Sequence, residues 1–144
     1  AKAMQGSESL VKKCHLNNIP MALVTSSSSE SVKTKISHHK WMNLFSSKVL
    51  GDDKLLTQGK PAPDPYLLAA ERLNFSPQEC WAIEDSISGV SSALSAGCIV
   101  FFLQENNDEI CEKDFYEKNN NLKKINHLNE IEQMLDDYQI NKAC

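Results

Sequence analysis

Three short stretches of this sequence carry side chains suited to work on a phosphate ester. Thr25 and Ser26 follow the apolar run Met21–Val24, Lys60 stands in the proline-rich stretch Gly59–Pro65, and Glu84 and Asp85 follow Cys80–Ile83. A hydroxyl beside the backbone N–H groups of a helix start, here Thr25 with Ser26 and Ser27, can bind phosphate oxygens. An ammonium group neutralises charge building on a transferring phosphoryl group. Two adjacent carboxylates are hard oxygen donors of the kind Mg²⁺ takes. Each residue also has a plainer use. Thr25 can close a local turn through its hydroxyl, a lysine is ordinarily solvated surface, and Asp85 can cap the helix that follows it.

The elements that must position these groups alternate. An amphipathic helix is expected between Gly6 and Asn18, with Leu10, Val11 and Cys14 inward. Met21 to Thr25 reads as a short strand buried on both faces. Ser26 to Ser29 then cap a helix reaching His38 or His39, two histidines suited to the helix end or to water rather than to a metal. Phe45 to Leu50 reads as an edge-like strand. Asp64 is expected to cap a helix with Pro65 in its first turn and Tyr66 to Leu73 in its body. Cys80 to Ile83 and Cys98 to Leu103 are further strands, around a helix capped by Asp85-Ser86 and closed by Gly97. Cys80 and Cys98 serve there as small apolar residues, and Gly89 lets its helix pack closely on the sheet. Residues 104–121 read as a loop with a short helix. Ile125 to Tyr138 reads as a strand end and a helix with Ile131, Met134 and Leu135 inward. Alternating strands and helices imply a parallel sheet with right-handed crossovers. In such a sheet ligands gather beyond the carboxyl ends of the strands, where all three polar stretches fall.

Taken in order, Met21-Ala22-Leu23-Val24-Thr25-Ser26, Gly59-Lys60-Pro61-Ala62-Pro63-Asp64-Pro65-Tyr66 and Ile83-Glu84-Asp85-Ser86-Ile87-Ser88-Gly89-Val90 resemble motifs II, III and IV of haloacid dehalogenase-like (HAD) phosphatases. The likeness is strongest to relatives of β-phosphoglucomutase and phosphoglycolate phosphatase. It implies a three-layer, Rossmann-like α/β fold with helices on both faces of a parallel sheet. It also implies Mg²⁺-dependent hydrolysis or transfer of a phosphomonoester of a small metabolite. By that resemblance Thr25 hydrogen-bonds a phosphoryl oxygen, helped by N–H groups near Ser26 and Ser27, and Lys60 neutralises the phosphoryl group. Asp85 holds Mg²⁺ directly or through water, with Glu84 ligating or orienting the same shell. Asp52 and Asp53 match a loop of the relatives that carries no assigned chemistry, and Asp64 is expected at its helix cap rather than in the site.

The family reaction begins with an aspartate of a DxD motif attacking phosphorus, while a second aspartate acts as acid and base. No DxD occurs in this sequence, whose first aspartate is Asp52. The expectation is therefore residues 1–103 as a partial HAD core without the first strand and helical cap, residues 104–144 as an acidic, Asn-rich segment completing it, and a chain inactive alone. A different expectation is a non-catalytic binding or oligomerisation module that self-associates through an exposed sheet edge. A response-regulator-like sheet also binds Mg²⁺, but GKPAPDPY has no place in one.

Composition narrows the field without choosing within it. With 144 residues, 41% hydrophobic and a net charge of −4, the chain is long enough to bury a core without metal or disulfide staples. Residues 1–103 hold 10 basic and 9 acidic side chains, residues 104–144 hold 5 and 10, and no basic stripe marks a nucleic-acid partner. The five cysteines are odd in number and never spaced CxxC, which fits a reducing, cytoplasmic setting. No apolar run reaches the roughly 20 residues a bilayer requires.

Overall fold

The structure, a computed structural model, describes residues 5–104 and 113–143. Cys111, Cys144 and most of the acidic loop expected after Leu103 fall outside those residues. The chain runs α1 (Ser7–Leu16), β1 (Ala22–Val24), α2 (Ser29–His38), a 3₁₀ turn (Lys40–Leu44), β2 (Ser47–Val49), α3 (Asp64–Leu73), a second 3₁₀ turn (Pro77–Glu79), β3 (Trp81–Glu84), α4 (Ile87–Ala96), β4 (Ile99–Leu103), α5 (Lys113–Lys118), β5 (Leu122–Ile125) and α6 (Asn129–Ala143). This is the expected alternation, and every strand pair is parallel.

The strands are hydrogen-bonded in two groups, β1-β2 and β3-β4-β5. Strand β4 is the best buried. Its side chains alternate between two cores, as a central parallel strand requires. Val100 and Phe102 pack with Tyr66, Ala82, Val90, Ala93 and Leu122 on the side of α3, α4 and α5. Phe101 and Leu103 pack with Leu10, Cys14, Leu128, Ile131 and Leu135 on the side of α1 and α6. Truncating either phenylalanine to alanine would cost about 3–5 kcal/mol. Helices thus cover both faces, as the sequence implied.

Strand β1 departs from expectation. Ala22, Leu23 and Val24 are each only half-buried, not enclosed on both faces. The physical reason is pairing, since β2 is its one hydrogen-bonded neighbour among the described residues.

Helix ends follow local chemistry, with two corrections. Ser28 caps α2 and Ser86 caps α4, their side chains accepting from Ser31 N and Gly89 N. Asp85 makes no such bond. Helix α3 begins at Asp64 itself, with Pro63 before it and no side-chain cap. Asp64 therefore lies inside the first turn, where its charge favours the helix dipole, and does not cap. Gly97 closes α4 at φ 101°, a left-handed conformation that costs glycine nothing. Cys80 and Cys98 each sit one residue before their strands; Cys98 is 1% exposed, in keeping with a small apolar role. The described cysteines Cys14, Cys80 and Cys98 are all free.

Candidate active site

The loop Gly59–Pro65 joins the carboxyl ends of the two strand groups. Lys60 Nζ lies 3.3 Å from the carbonyl oxygen of Val24, the last residue of β1, and 2.5 Å from Oε1 of Glu84, the last residue of β3. This lysine is not solvated surface, because its side chain is 11% exposed and that of Glu84 is 7% exposed. A buried carboxylate is costly unless paired and hydrogen-bonded. Glu84 is both, since Oε1 also accepts from the Tyr66 hydroxyl at 2.5 Å. Lys60 Nζ stands 5.7 Å from the centre of the Tyr66 ring, within cation–π range. Burial first, and then the charge of Glu84, hold the Tyr66 phenol well above its ordinary pKa, so it remains a donor.

The loop is fastened from below. The fully buried Ser92 of α4 donates to the carbonyl of Ala62 at 2.6 Å, and the Lys60–Pro61 peptide is cis. Gly89 serves the site as well as the packing. A Cβ there would lie 2.2 Å from the Glu84 carboxyl carbon, so the carboxylate occupies the space a side chain would need.

Thr25 does close a local turn, with its Oγ1 accepting from Ser27 N at 3.1 Å. Of the two N–H groups expected to meet phosphate, that of Ser27 is thereby engaged. The Thr25 hydroxyl still has its own proton to donate. The start of α2 is occupied too, with Ser29 donating its N–H and hydroxyl to Asp52. Those bonds hold the Asp52 carboxyl below its ordinary range. Gly51 brings this loop against the turn: its N–H donates to Ser27 O at 2.8 Å, and a Cβ would lie 2.1 Å from Ser26 O.

Thr25, Ser26 and Lys60 meet around one cleft of about 240 Å³, completed by Gly51, Leu56, Gly59 and Pro65. A larger hollow, about 350 Å³, lies along α2 and is lined by Ser28, Glu30, Ser31, Thr34 and Lys35, none of them a motif residue. Asp85 follows β3 on the exposed side and makes no side-chain bond among the described residues. Sequence reasoning passed over Tyr66, Gly51 and Leu56. Tyr66 stood in the quoted motif six positions after Lys60, but what its side chain meets depends on how α3 packs, which no local signal reports. Leu56 gave no signal, since it lies in an irregular loop.

Residues 1–103 match the haloacid dehalogenase-like hydrolase family. The chain belongs to that family. It is 40% identical over 109 residues to the "Probable pseudouridine-5'-phosphatase" of Drosophila melanogaster, covering 73% of this chain and 47% of that one. It is 39% identical over 98 residues to "Hexitol phosphatase A" of Escherichia coli K12, covering 68% and 44%. Among solved structures, the "putative beta-phosphoglucomutase" of Thermotoga maritima superposes with a TM-score of 0.74 at 29% identity, covering 90% of this chain and 59% of that one. The expected kinship with β-phosphoglucomutase is thus present, and the chain is related to sugar-phosphate phosphatases as well. The chain spans less than half of these curated relatives and covers part of the HAD core.

Proposed function

We propose that this chain carries the phosphate- and Mg²⁺-binding part of an HAD phosphatase or phosphohexomutase acting on a small phosphorylated metabolite. The observation that carries the reading is Lys60 Nζ bridging Val24 O and Glu84 Oε1 at the rim of a cleft that also holds Thr25 and Ser26. The Thr25 hydroxyl would donate to a phosphoryl oxygen and Lys60 would neutralise the group's charge, with the N–H of Ser26 taking the part that Ser27 gives to Thr25. The phosphatase names of the relatives support phosphorylated metabolites as the substrate class.

The donor set fits Mg²⁺ in chemical type. Among the described residues no three His, Cys, Asp or Glu side chains converge, and Mg²⁺ commonly takes one or two carboxylates and several waters. Glu84 Oε1 is committed to Lys60 and Tyr66, so Asp85 would hold the ion and Glu84 would orient its shell. Bound there, the ion would share neutralisation of the phosphoryl charge.

The family's attacking and proton-transferring aspartates have no DxD counterpart in this sequence, so the chain by itself would be inactive. Incubation with p-nitrophenyl phosphate and Mg²⁺ should release no nitrophenol, whereas inorganic phosphate should shift the backbone NMR signals of Thr25, Ser26 and Lys60. Turnover that Lys60→Ala abolishes would overturn the inactivity; phosphate shifts that persist in Lys60→Ala would overturn the site.

A second reading has its own observation. The edge strand β5 carries Lys123 and Lys124, both exposed, the usual guard on a sheet edge. Strands β1 and β3 carry no lysine, and among the described residues each has one hydrogen-bonded neighbour. Such an edge suits a binding or self-associating module. A monomer by light scattering at micromolar concentration, with no partner recovered, counts against it. The free cysteines support a reducing, cytoplasmic setting, and among the described residues no helix is long and apolar enough to cross a membrane.

A further inference from the structure

Two donors converge on one oxygen of Glu84, Lys60 Nζ and Tyr66 Oη, each at 2.5 Å. Their roles differ. Lys60 reaches the oxygen on a long flexible stem from an irregular loop, and its other bond, to Val24 O, is the longer at 3.3 Å. Tyr66 reaches it from the first turns of α3 with its ring 8% exposed, packed in the core with Ala82, Val90 and Ala93. The tyrosine is therefore the fixed member and the lysine the guided one. Gly89 completes the mould, because the Glu84 carboxylate lies where that residue's Cβ would be.

We propose that Tyr66 is a positioning residue: its hydroxyl, opposite the bare backbone of Gly89, sets the Glu84 carboxylate so that Oε1 holds Lys60 Nζ across the ends of β1 and β3. The proposal rests on the reading of Lys60 as the cation that meets the phosphoryl group. Without the hydroxyl, Oε1 keeps a buried lone pair with no donor. A group so placed costs enough to drive the carboxylate toward water, and Lys60 would follow it. The ring itself, retained in phenylalanine, would still fill the core.

The test reads Lys60 directly in the full chain. Limiting N-hydroxysuccinimide acetate labels lysines in proportion to their freedom, and peptide mass spectrometry separates Lys60 from the exposed Lys33 and Lys123. Tyr66→Phe should raise Lys60 labelling about threefold or more, the rate equivalent of one lost hydrogen bond, with Lys33 and Lys123 unchanged. Glu84→Gln should raise it too, and adding Tyr66→Phe to Glu84→Gln should change nothing further, because the tyrosine acts through Glu84. A purely structural role predicts the opposite, two effects that multiply. That result, or Lys60 labelling at the wild-type rate in Tyr66→Phe, overturns the proposal.

Should Tyr66→Phe fail to fold, Tyr66→Met, which also fills the space without a hydroxyl, decides by the same labelling. Lys60 labelled at the wild-type rate in that variant overturns the proposal. Neither measurement involves phosphate, so failure of inorganic phosphate to bind overturns the reading of Lys60 and is distinguishable from failure here.

Discussion

Arg72 grips Asp53 with both arms of its guanidinium, Nη1 2.6 Å from Oδ2 and Nη2 3.0 Å from Oδ1, while the same Nη1 donates to the Lys48 carbonyl at 2.6 Å. Helix α3 is thereby tied both to β2 and to the loop that walls the cleft. The paired, planar geometry matters, because only a forked donor fills both carboxylate oxygens at once. Arg72→Lys keeps the charge and loses the fork. A double-mutant cycle with Asp53→Asn should give a coupling of roughly 0.5–1 kcal/mol, the upper part of the range for exposed pairs, read from urea midpoints. A coupling of zero would mean that the pair decorates the surface.

The same carboxyl predicts an acid limb. Asp53 is held below its ordinary range by Arg72 first and the Leu55 N–H second, and Asp52 by its bonds to Ser29. A carboxyl depressed in the fold stabilises above its unfolded pKa, about 4, and that stabilisation drains away as pH falls through the folded value. Asp52→Asn and Asp53→Asn should each flatten the loss of stability below about pH 4. Denaturation midpoints with unchanged pH dependence in both variants would refute the assignment.

How far the sequence reaches is clearest at α3 and β1. The motif Gly59–Tyr66 placed Lys60 at the site and the helix start within a residue, since proline and aspartate chemistry is local. What pairs with Glu84 was not legible, because Tyr66 enters the site only through the packing of α3 against β1, β2 and α4. The run Met21–Val24 announced a strand correctly. Its half-exposure depends on which strands lie beside it, a non-local property that an apolar run cannot report. Thr25 shows a third limit: its turn and its proposed donation use different atoms of one hydroxyl, so the two readings of the sequence were never exclusive.

Two glycines should respond differently to alanine. At Gly51 the new Cβ would lie 2.1 Å from a backbone oxygen, that of Ser26, and backbone cannot step aside. Overpacking of this sort costs about 1–3 kcal/mol, and Gly51→Ala should lower Tm accordingly. At Gly89 the obstacle is the movable end of the Glu84 side chain. Alanine returns up to about 1 kcal/mol of helix propensity, which does not offset taking the buried Glu84 carboxylate from Lys60 and Tyr66, so Gly89→Ala should lower Tm and raise Lys60 labelling together, whereas Gly51→Ala should lower Tm alone. Raised Lys60 labelling in Gly51→Ala, or none in Gly89→Ala, would contradict the split.

The alkaline side has two separable windows, one for the thiols Cys14, Cys80 and Cys98, each raised by burial first, and one for the Tyr66 phenol. Burial first, then neighbouring Cys80, pushes the Cys98 thiol up to about 11, and burial with Glu84 raises the Tyr66 phenol. For a group raised in the fold, the folded chain binds more protons between the two values, so stability falls as pH rises. The loss should therefore begin near the unfolded thiol's value, about 8.5, and steepen above the unfolded phenol's, about 10. Each group contributes at most about 1.4 kcal/mol per pH unit. Cys98→Ala should weaken the first limb and keep the second, and Tyr66→Phe should remove the second and keep the first. Urea midpoints between about pH 8 and 11 measure both, and a wild-type curve flat across that range would mean that neither group is held neutral by the fold.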